Sequence, residues 1–235
     1  MKRVIRTLVV LIGMLVGFGS LVGAGPAADY KADFSKALDK GWSFVREDKA
    51  DWRLKDGNLQ LLAQSTNIWG KRNNKTENFL LRALPGPKAA VEVTVDFNPR
   101  KEYEQAGLML YLDDDNYIKF DRELYGGQSC TLVLESKAKP KVVKKIPFRE
   151  GPLRLRLEIS DGKVKAMVKA PDGKEWTTHG ETTLPGGSDE VKVGLFALQG
   201  DAKNPRWVTF SDFELAKQKR HESIATTSPR QAETR

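Results

Sequence analysis

The chain has 235 residues, with 39 Lys and Arg against 31 Asp and Glu, 40% hydrophobic residues and one cysteine. That length buries a real core as one large domain or two small ones, and the apolar fraction argues against disorder across the chain. One Cys excludes an intramolecular disulfide framework and a cysteine-rich zinc site, and two His leave little for a histidine metal cluster.

Residues 1–28 carry Lys2, Arg3 and Arg6 and no acid, followed by an apolar run from Leu8 to Phe18 and small residues through Ala28. A basic start, an apolar stretch and a small-residue exit predict a secretory signal peptide, cleaved after Ala24 or Ala28. The alternative is an N-terminal membrane anchor, but Gly13, Gly17, Gly19 and Gly23 interrupt the run and it is short for a spanning helix. No Cys follows it, which closes the lipoprotein route. The expectation is a secreted or periplasmic protein with no stable membrane anchor.

From Asp29 the pattern has period two. Val91, Val93, Val95 and Phe97 alternate with polar residues, as do Leu153, Leu155, Leu157 and Ile159. Such alternation turns one strand face to a core and the other to water. Asp161-Gly162 is then followed by Val164, Ala166 and Val168, a hairpin with a two-residue turn. Asp56-Gly57 and Asp172-Gly173 mark two more hairpins. Further strands are expected around Trp42–Val45, 79–82, 107–112, 117–121, 130–134, 142–146, 191–198 and 208–215, with at most one short helical turn over Tyr30–Leu38. Trp42, Trp52 and Trp176 fall in strand patterns and are expected in the core. About a dozen strands with turn punctuation and no internal repeat predict one all-β sandwich over residues 29–216.

Residues 217–235 hold five basic and two acidic residues with little apolar content, and read as a disordered extension. Without the two ends, 31 basic and 29 acidic residues remain, so the body is close to neutral and nucleic-acid binding is not expected. The basic group Lys137, Lys139, Lys141, Lys144 and Lys145 reads as the solvated face of a surface hairpin.

Several segments, in order, carry a resemblance. They are Trp42–Asp48, Trp52–Leu59, Asn78–Arg82, Glu104–Tyr111, Asp115–Phe120 and Val193–Ala197. Together they resemble the concanavalin A-like C-terminal domain of glycoside hydrolase family 43 β-xylosidases, and are similar to the related bacterial domain of unknown function 1349. The resemblance spans roughly residues 33–215. It implies a lectin-like jelly roll of two antiparallel sheets with a concave face suited to carbohydrate. Such domains usually accompany a five-bladed propeller that carries the catalytic carboxylates. No propeller is expected within these residues, so the xylosidase activity is not carried over.

The functional expectation is an exported carbohydrate-binding or carbohydrate-metabolism accessory module, with an oligo- or polysaccharide as partner. Its rivals are a glycoside hydrolase on the same sandwich and a docking module for a partner glycoside hydrolase. An extended strand from Tyr117 places Tyr117, Lys119, Asp121 and Glu123 on one face, with Ile118 and Phe120 toward the core. A ring beside hydrogen-bonding groups suits a sugar, whose C–H faces are apolar and whose rim is hydroxylated. Tyr111 or Met109 could extend this platform, Gln105 stands at its entrance, and Trp69 lies in a polar loop free to hold a ligand. The same residues also fit a solvated sheet face with ordinary cross-strand ion pairs, and Trp69 also fits an end cover for the sandwich.

A glycosidase needs two carboxylates about 5–5.5 Å or roughly 6.5–9.5 Å apart. Glu104 and Glu123 are the pair to test. Ser-His chemistry is weaker, with His179 in a strand-edge stretch, His221 in the tail and no nucleophile-elbow motif. No cofactor is expected, a structural calcium ion being the one metal the acids could hold. Asp113-Asp114-Asp115-Asn116 lacks EF-hand spacing and reads as an Asx-rich turn. Asp212 could join Asp33 in a cation site. Cys130 alternates with Leu132 and Leu134 and reads as a buried thiol. Asn74-Lys75-Thr76 is a glycosylation sequon.

Overall fold

The computed structural model describes residues 29–72, 75–186 and 190–218. The expected signal peptide with both cleavage points, the tail beyond residue 218, His221 and the sequon's Asn74 lie outside the described residues. The strands, in chain order, are β1 (Tyr30–Lys31), β2 (Trp42–Val45), β3 (Trp52–Lys55), β4 (Asn58–Leu62), β5 (Phe79–Ala83), β6 (Lys88–Asp96), β7 (Gln105–Asp113) and β8 (Asn116–Leu124). There follow β9 (Gln128–Ser136), β10 (Lys139–Pro147), β11 (Leu153–Ser160), β12 (Lys163–Lys169), β13 (Thr177–Thr183), β14 (Lys192–Leu198) and β15 (Trp207–Lys217). They form two sheets. One runs β13-β12-β11-β6-β15-β4-β3 with β1 added beside β15, and the other runs β10-β9-β8-β7-β14-β5-β2.

The period-two residues meet between the sheets. Val91, Val93 and Val95 of β6 and the Leu153–Ile159 series of β11 pack against Ile118 and Phe120 of β8 and Leu132 of β9. Each such side chain, taken fully from water, stabilises the fold by about 1.5–3 kcal/mol. Cys130 is buried in the same core as a free thiol, and burial pushes its pKa up.

Turn chemistry fixes the register of two hairpins. Asp56 and Gly57 have φ of 53° and 76°, and Asp161 and Gly162 have 50° and 81°, the left-handed pairs that suit the strand twist. At Asp172-Gly173 the hairpin is wider. β12 and β13 pair, but across residues 170–176, because Pro171 has no N–H for the ladder and the Gly173 amide turns back onto Ala170 O. Lys137 and Ala138 also take left-handed φ, with no turn residue to announce it. Their amides are held by Asn116 Oδ1 and Asp115 O of the adjacent turn.

The short turn expected within Tyr30–Leu38 is present, the Lys36 amide donating to Asp33 O, and before it Tyr30 and Lys31 pair with Leu215 and Glu214. One expectation changes. Trp176 is not in the core but precedes β13, with the Arg156 and Lys169 cations 5.7 and 4.8 Å from its ring. Trp42 and Trp52 pack against the core as expected. The lysines of the 137–145 hairpin are exposed along edge strand β10, where charge discourages pairing with another chain.

The seven-stranded sheet departs from simple alternation on its outer face. Phe79, Leu81, Met109, Tyr117, Phe196 and Leu198 point away from the main core yet are buried in a second cluster capped by Ile68. Residues 63–72 run over this face, with Ile68 seated in the cluster. Strand β14 lies against β5 with little room to spare: a Cβ on Gly194 would sit 2.0 Å from the Leu80 carbonyl oxygen. Gly194→Ala is therefore expected to lower unfolding free energy by at least the ~1–3 kcal/mol of an overpacked core, read as a fall in the urea midpoint.

Candidate functional site

Beside the second cluster, the outer face of the seven-stranded sheet opens into a cavity of about 310 Å³. Strand β8 supplies its floor. Because Ile118 and Phe120 enter the core, Lys119, Asp121 and Glu123 project the other way. Antiparallel pairing then sets Gln105 against Glu123, Gly107 against Asp121 and Met109 against Lys119. Trp69, Asn67 and Arg72 form one wall, and Tyr103, Tyr125 and Gln199 the other, with Val133 and Val142 along the β9–β10 side.

The floor is a connected polar network. Lys119 Nζ donates to Gln105 Oε1, and Gln105 Nε2 lies 3.1 Å from Glu123 Oε1, 3.0 Å from Gln199 Oε1 and 3.0 Å from Tyr103 O. The Lys119 ammonium also sits 5.7–5.9 Å from the rings of Phe196, Trp69 and Tyr117. That range allows cation–π attraction. Lys119 is 1% exposed and burial pulls its pKa down. Asp121 is fully buried, neither carboxylate oxygen has a hydrogen-bond partner, and burial, then the Glu123 charge, pushes its pKa well up. Glu123 is also raised, first by burial. Three ionisable groups on one strand face are costly to bury, and such clusters concentrate at functional sites.

Of the residues expected to meet a sugar, Trp69, Gln105, Lys119 and Glu123 line the cavity. Tyr117 and Tyr111 do not. Tyr117 has no exposed surface, its hydroxyl lying 3.0 Å from Ile68 O and 2.5 Å from Glu135 Oε2, so its ring is no open platform. Tyr111 packs on Phe79 and donates its hydroxyl to Asp114 Oδ1 at 2.8 Å. Met109 is buried in the same cluster.

The Glu104–Glu123 pair is not brought to one surface. The Glu104 carboxylate is 1% exposed, accepts the Arg100 amide at 2.6 Å and pairs with Arg206 at 3.2 Å, outside the cavity lining. Asp33 and Asp212 likewise have separate partners: Ser35 and Lys36 for the first, Thr94 and Ser211 for the second. Asp113 closes an Asx turn onto Asp115 and Asn116, and Asp114 is held by Arg46 through two 2.9 Å bonds. His179 is buried, 5.1 Å from the Phe120 ring, and burial lowers its pKa.

Acidic oxygens of Asp48, Asp51 and Glu77 lie within 4.8 Å of one another. The Gln64 side-chain amide already donates to Asp51 and Glu77. The walls Tyr103, Tyr125 and Gln199 were not among the expected residues. One signal pointed to Tyr125, which continues the β8 alternation two residues past Glu123. Tyr103 and Gln199 take left-handed φ outside the strands, where periodicity is silent.

The family described as "Beta xylosidase C-terminal Concanavalin A-like domain" matches residues 31–216. A curated relative, the non-reducing end α-L-arabinofuranosidase BoGH43B of Bacteroides ovatus, is 24% identical over 195 residues, covering 78% of this chain and 36% of its own. A variant of the GH43 protein BlXynB from Bacillus licheniformis superposes with a TM-score of 0.73 at 25% identity, over 80% of this chain and 39% of that one. The chain thus spans little more than a third of these relatives. A functionally unknown protein from Saccharomyces cerevisiae shares the fold at a TM-score of 0.63 and 20% identity, over 80% of this chain and all of its own.

The buried Asp121 carboxyl has a measurable signature. With its folded pKa raised, the unfolded chain releases this proton first as pH climbs above about 4, so its share of stability is lost as pH rises through the folded pKa. Asp121→Asn is expected to flatten the stability slope above about pH 4 by up to about 1.4 kcal/mol per pH unit, measured by urea melts at increasing pH.

Proposed function

The chain belongs to the family of β-xylosidase C-terminal concanavalin A-like domains, and we propose that it acts as an exported carbohydrate-binding accessory module. The observation that carries this reading is the cavity floor, where the Trp69 indole stands beside Lys119, Gln105 and Glu123. An indole offers an apolar face to sugar C–H groups, and the network beneath offers both donors and acceptors to hydroxyls. The basic, apolar and small-residue order of residues 1–28 supports export to the periplasm or medium. The name of the α-L-arabinofuranosidase relative suggests arabinose-containing glycans as ligands, with hydrolysis supplied by a partner glycoside hydrolase. A wider kinship with the domain of unknown function 1349 rests on the ordered motifs from Trp42 to Ala197.

Pull-down and calorimetry of the full chain with xylan, arabinan and glucan test the reading. Binding to at least one is expected, and binding to none overturns it. Trp69→Ala and Tyr103→Ala are each expected to weaken binding about tenfold, equivalent to about 1.4 kcal/mol. Glu104→Gln should leave affinity unchanged, because its carboxylate serves Arg206 and the Arg100 amide. Reducing sugar released from these glycans and abolished by Glu123→Gln would instead establish a hydrolase.

A further inference from the structure

The shape of the same cavity says which part of a glycan it takes. Resting on the carbohydrate reading above, we propose that it is a chain-end site, receiving the terminal one or two sugar residues and excluding the interior of a longer chain. Its volume of about 310 Å³ lies at the bottom of the ~300–1,000 Å³ range of small-molecule sites, room for a short end and not for a run of polymer.

The cavity is also blind. Followed along β8 from Glu123 through Lys119, the next outward residue is Tyr117, and there the face is filled by Ile68, Phe79, Met109 and Phe196. A chain running along β8 would have to pass through this cluster.

The closure is fastened by buried bonds. The Gly70 amide donates to both Glu135 carboxylate oxygens at 3.0 and 3.1 Å, and the Tyr117 hydroxyl stands 2.5 Å from Glu135 Oε2 and 3.0 Å from the Ile68 carbonyl oxygen. Glu135 is fully buried, so losing these bonds strands a carboxyl group away from water. Gly70 presses so closely on the β9–β10 hairpin that an added Cβ would lie 3.1 Å from Pro140 and 3.3 Å from Ala138 O. The wall carrying Trp69 is therefore fixed, and binding does not have to order it.

Chemistry at the closed end agrees. Lys119 keeps donors beyond the one given to Gln105, and Glu123 is an acceptor when ionised. The terminal residue of a glycan brings free hydroxyls to such groups, where an interior residue has a glycosidic oxygen in place of one of them. At the other end Tyr103 is 45% exposed and packs at a tilt against Tyr125 with ring centres 5.5 Å apart, an apolar lip over which the rest of the chain leaves.

Stoichiometry tests this directly. The full chain is titrated calorimetrically with xylohexaose and arabinohexaose, and with linear β-1,4-xylan and α-1,5-arabinan about tenfold longer. One protein per glycan chain is expected at every length, so equal masses of polymer saturate about tenfold less protein than the hexaose. Protein bound per chain rising in proportion to length overturns the chain-end site but leaves the carbohydrate reading standing. Binding that Trp69→Ala does not weaken places the sugar elsewhere and also overturns it. No binding of any of these four probes or of glucan overturns both. Borohydride-reduced hexaoses then tell which end enters: unchanged affinity assigns the non-reducing end, and lost affinity the reducing end.

Discussion

The Glu135 carboxylate ties together three parts of the molecule that are far apart in sequence. It projects from β9, takes the Gly70 amide on both oxygens and meets the Tyr117 hydroxyl from β8. Through these contacts the segment between β4 and β5 is held over the outer face of the seven-stranded sheet, with Ile68 driven into the second cluster. A sheet with Phe79, Met109, Tyr117 and Phe196 on its outer side needs such a cover, since those rings and chains would otherwise face water. The cover is partial. Where it stops, the cavity begins, so the position of the candidate site is a consequence of how the second cluster is closed.

The charges at the cavity follow from the same constraint. Lys119 lies within 5.9 Å of the Trp69 ring and is buried, Asp121 is buried beside it, and Glu123 lines the cavity. Gly107 contributes by what it lacks: a Cβ there would lie 2.3 Å from Phe120 O and 2.6 Å from Asp121 Cα, so only glycine lets β7 and β8 approach at this point. A buried carboxyl without hydrogen-bond partners costs stability, and an apolar residue would pack there at less expense. Asp121 lies beneath the floor and outside the cavity lining, so this cost falls within the fold. The main core, by contrast, is free of this tension, built from Val, Leu, Ile and Phe on facing strands.

Much of this arrangement is legible in the order of the residues. The faces of β8 follow from alternation alone, which places Ile118 and Phe120 inward and Lys119 and Glu123 outward. Trp69 stands out as an indole in a polar loop. Where tyrosine and glutamate depart from expectation, the cause is a distant partner. Tyr111 and Tyr117 lie on the outward side as alternation requires, but outward is not exposed, because a remote segment covers them. Glu104 stands one residue before β7 and beside Gln105, yet its carboxylate turns to Arg206, a partner 102 residues away.

Sequence alone determined what depends on near neighbours: strand positions, which side chains share a face, and the left-handed turns at Asp56-Gly57 and Asp161-Gly162. These follow from the two-residue period of an extended chain and from local backbone sterics, which act over a few residues. Only the tertiary structure decided which outward face would be buried, which strands would bring Gln105 against Glu123, and where the cavity would end. Those outcomes depend on contacts between segments tens of residues apart, and no local pattern in Ile68, Glu135 or Tyr103 encodes the partner each one meets.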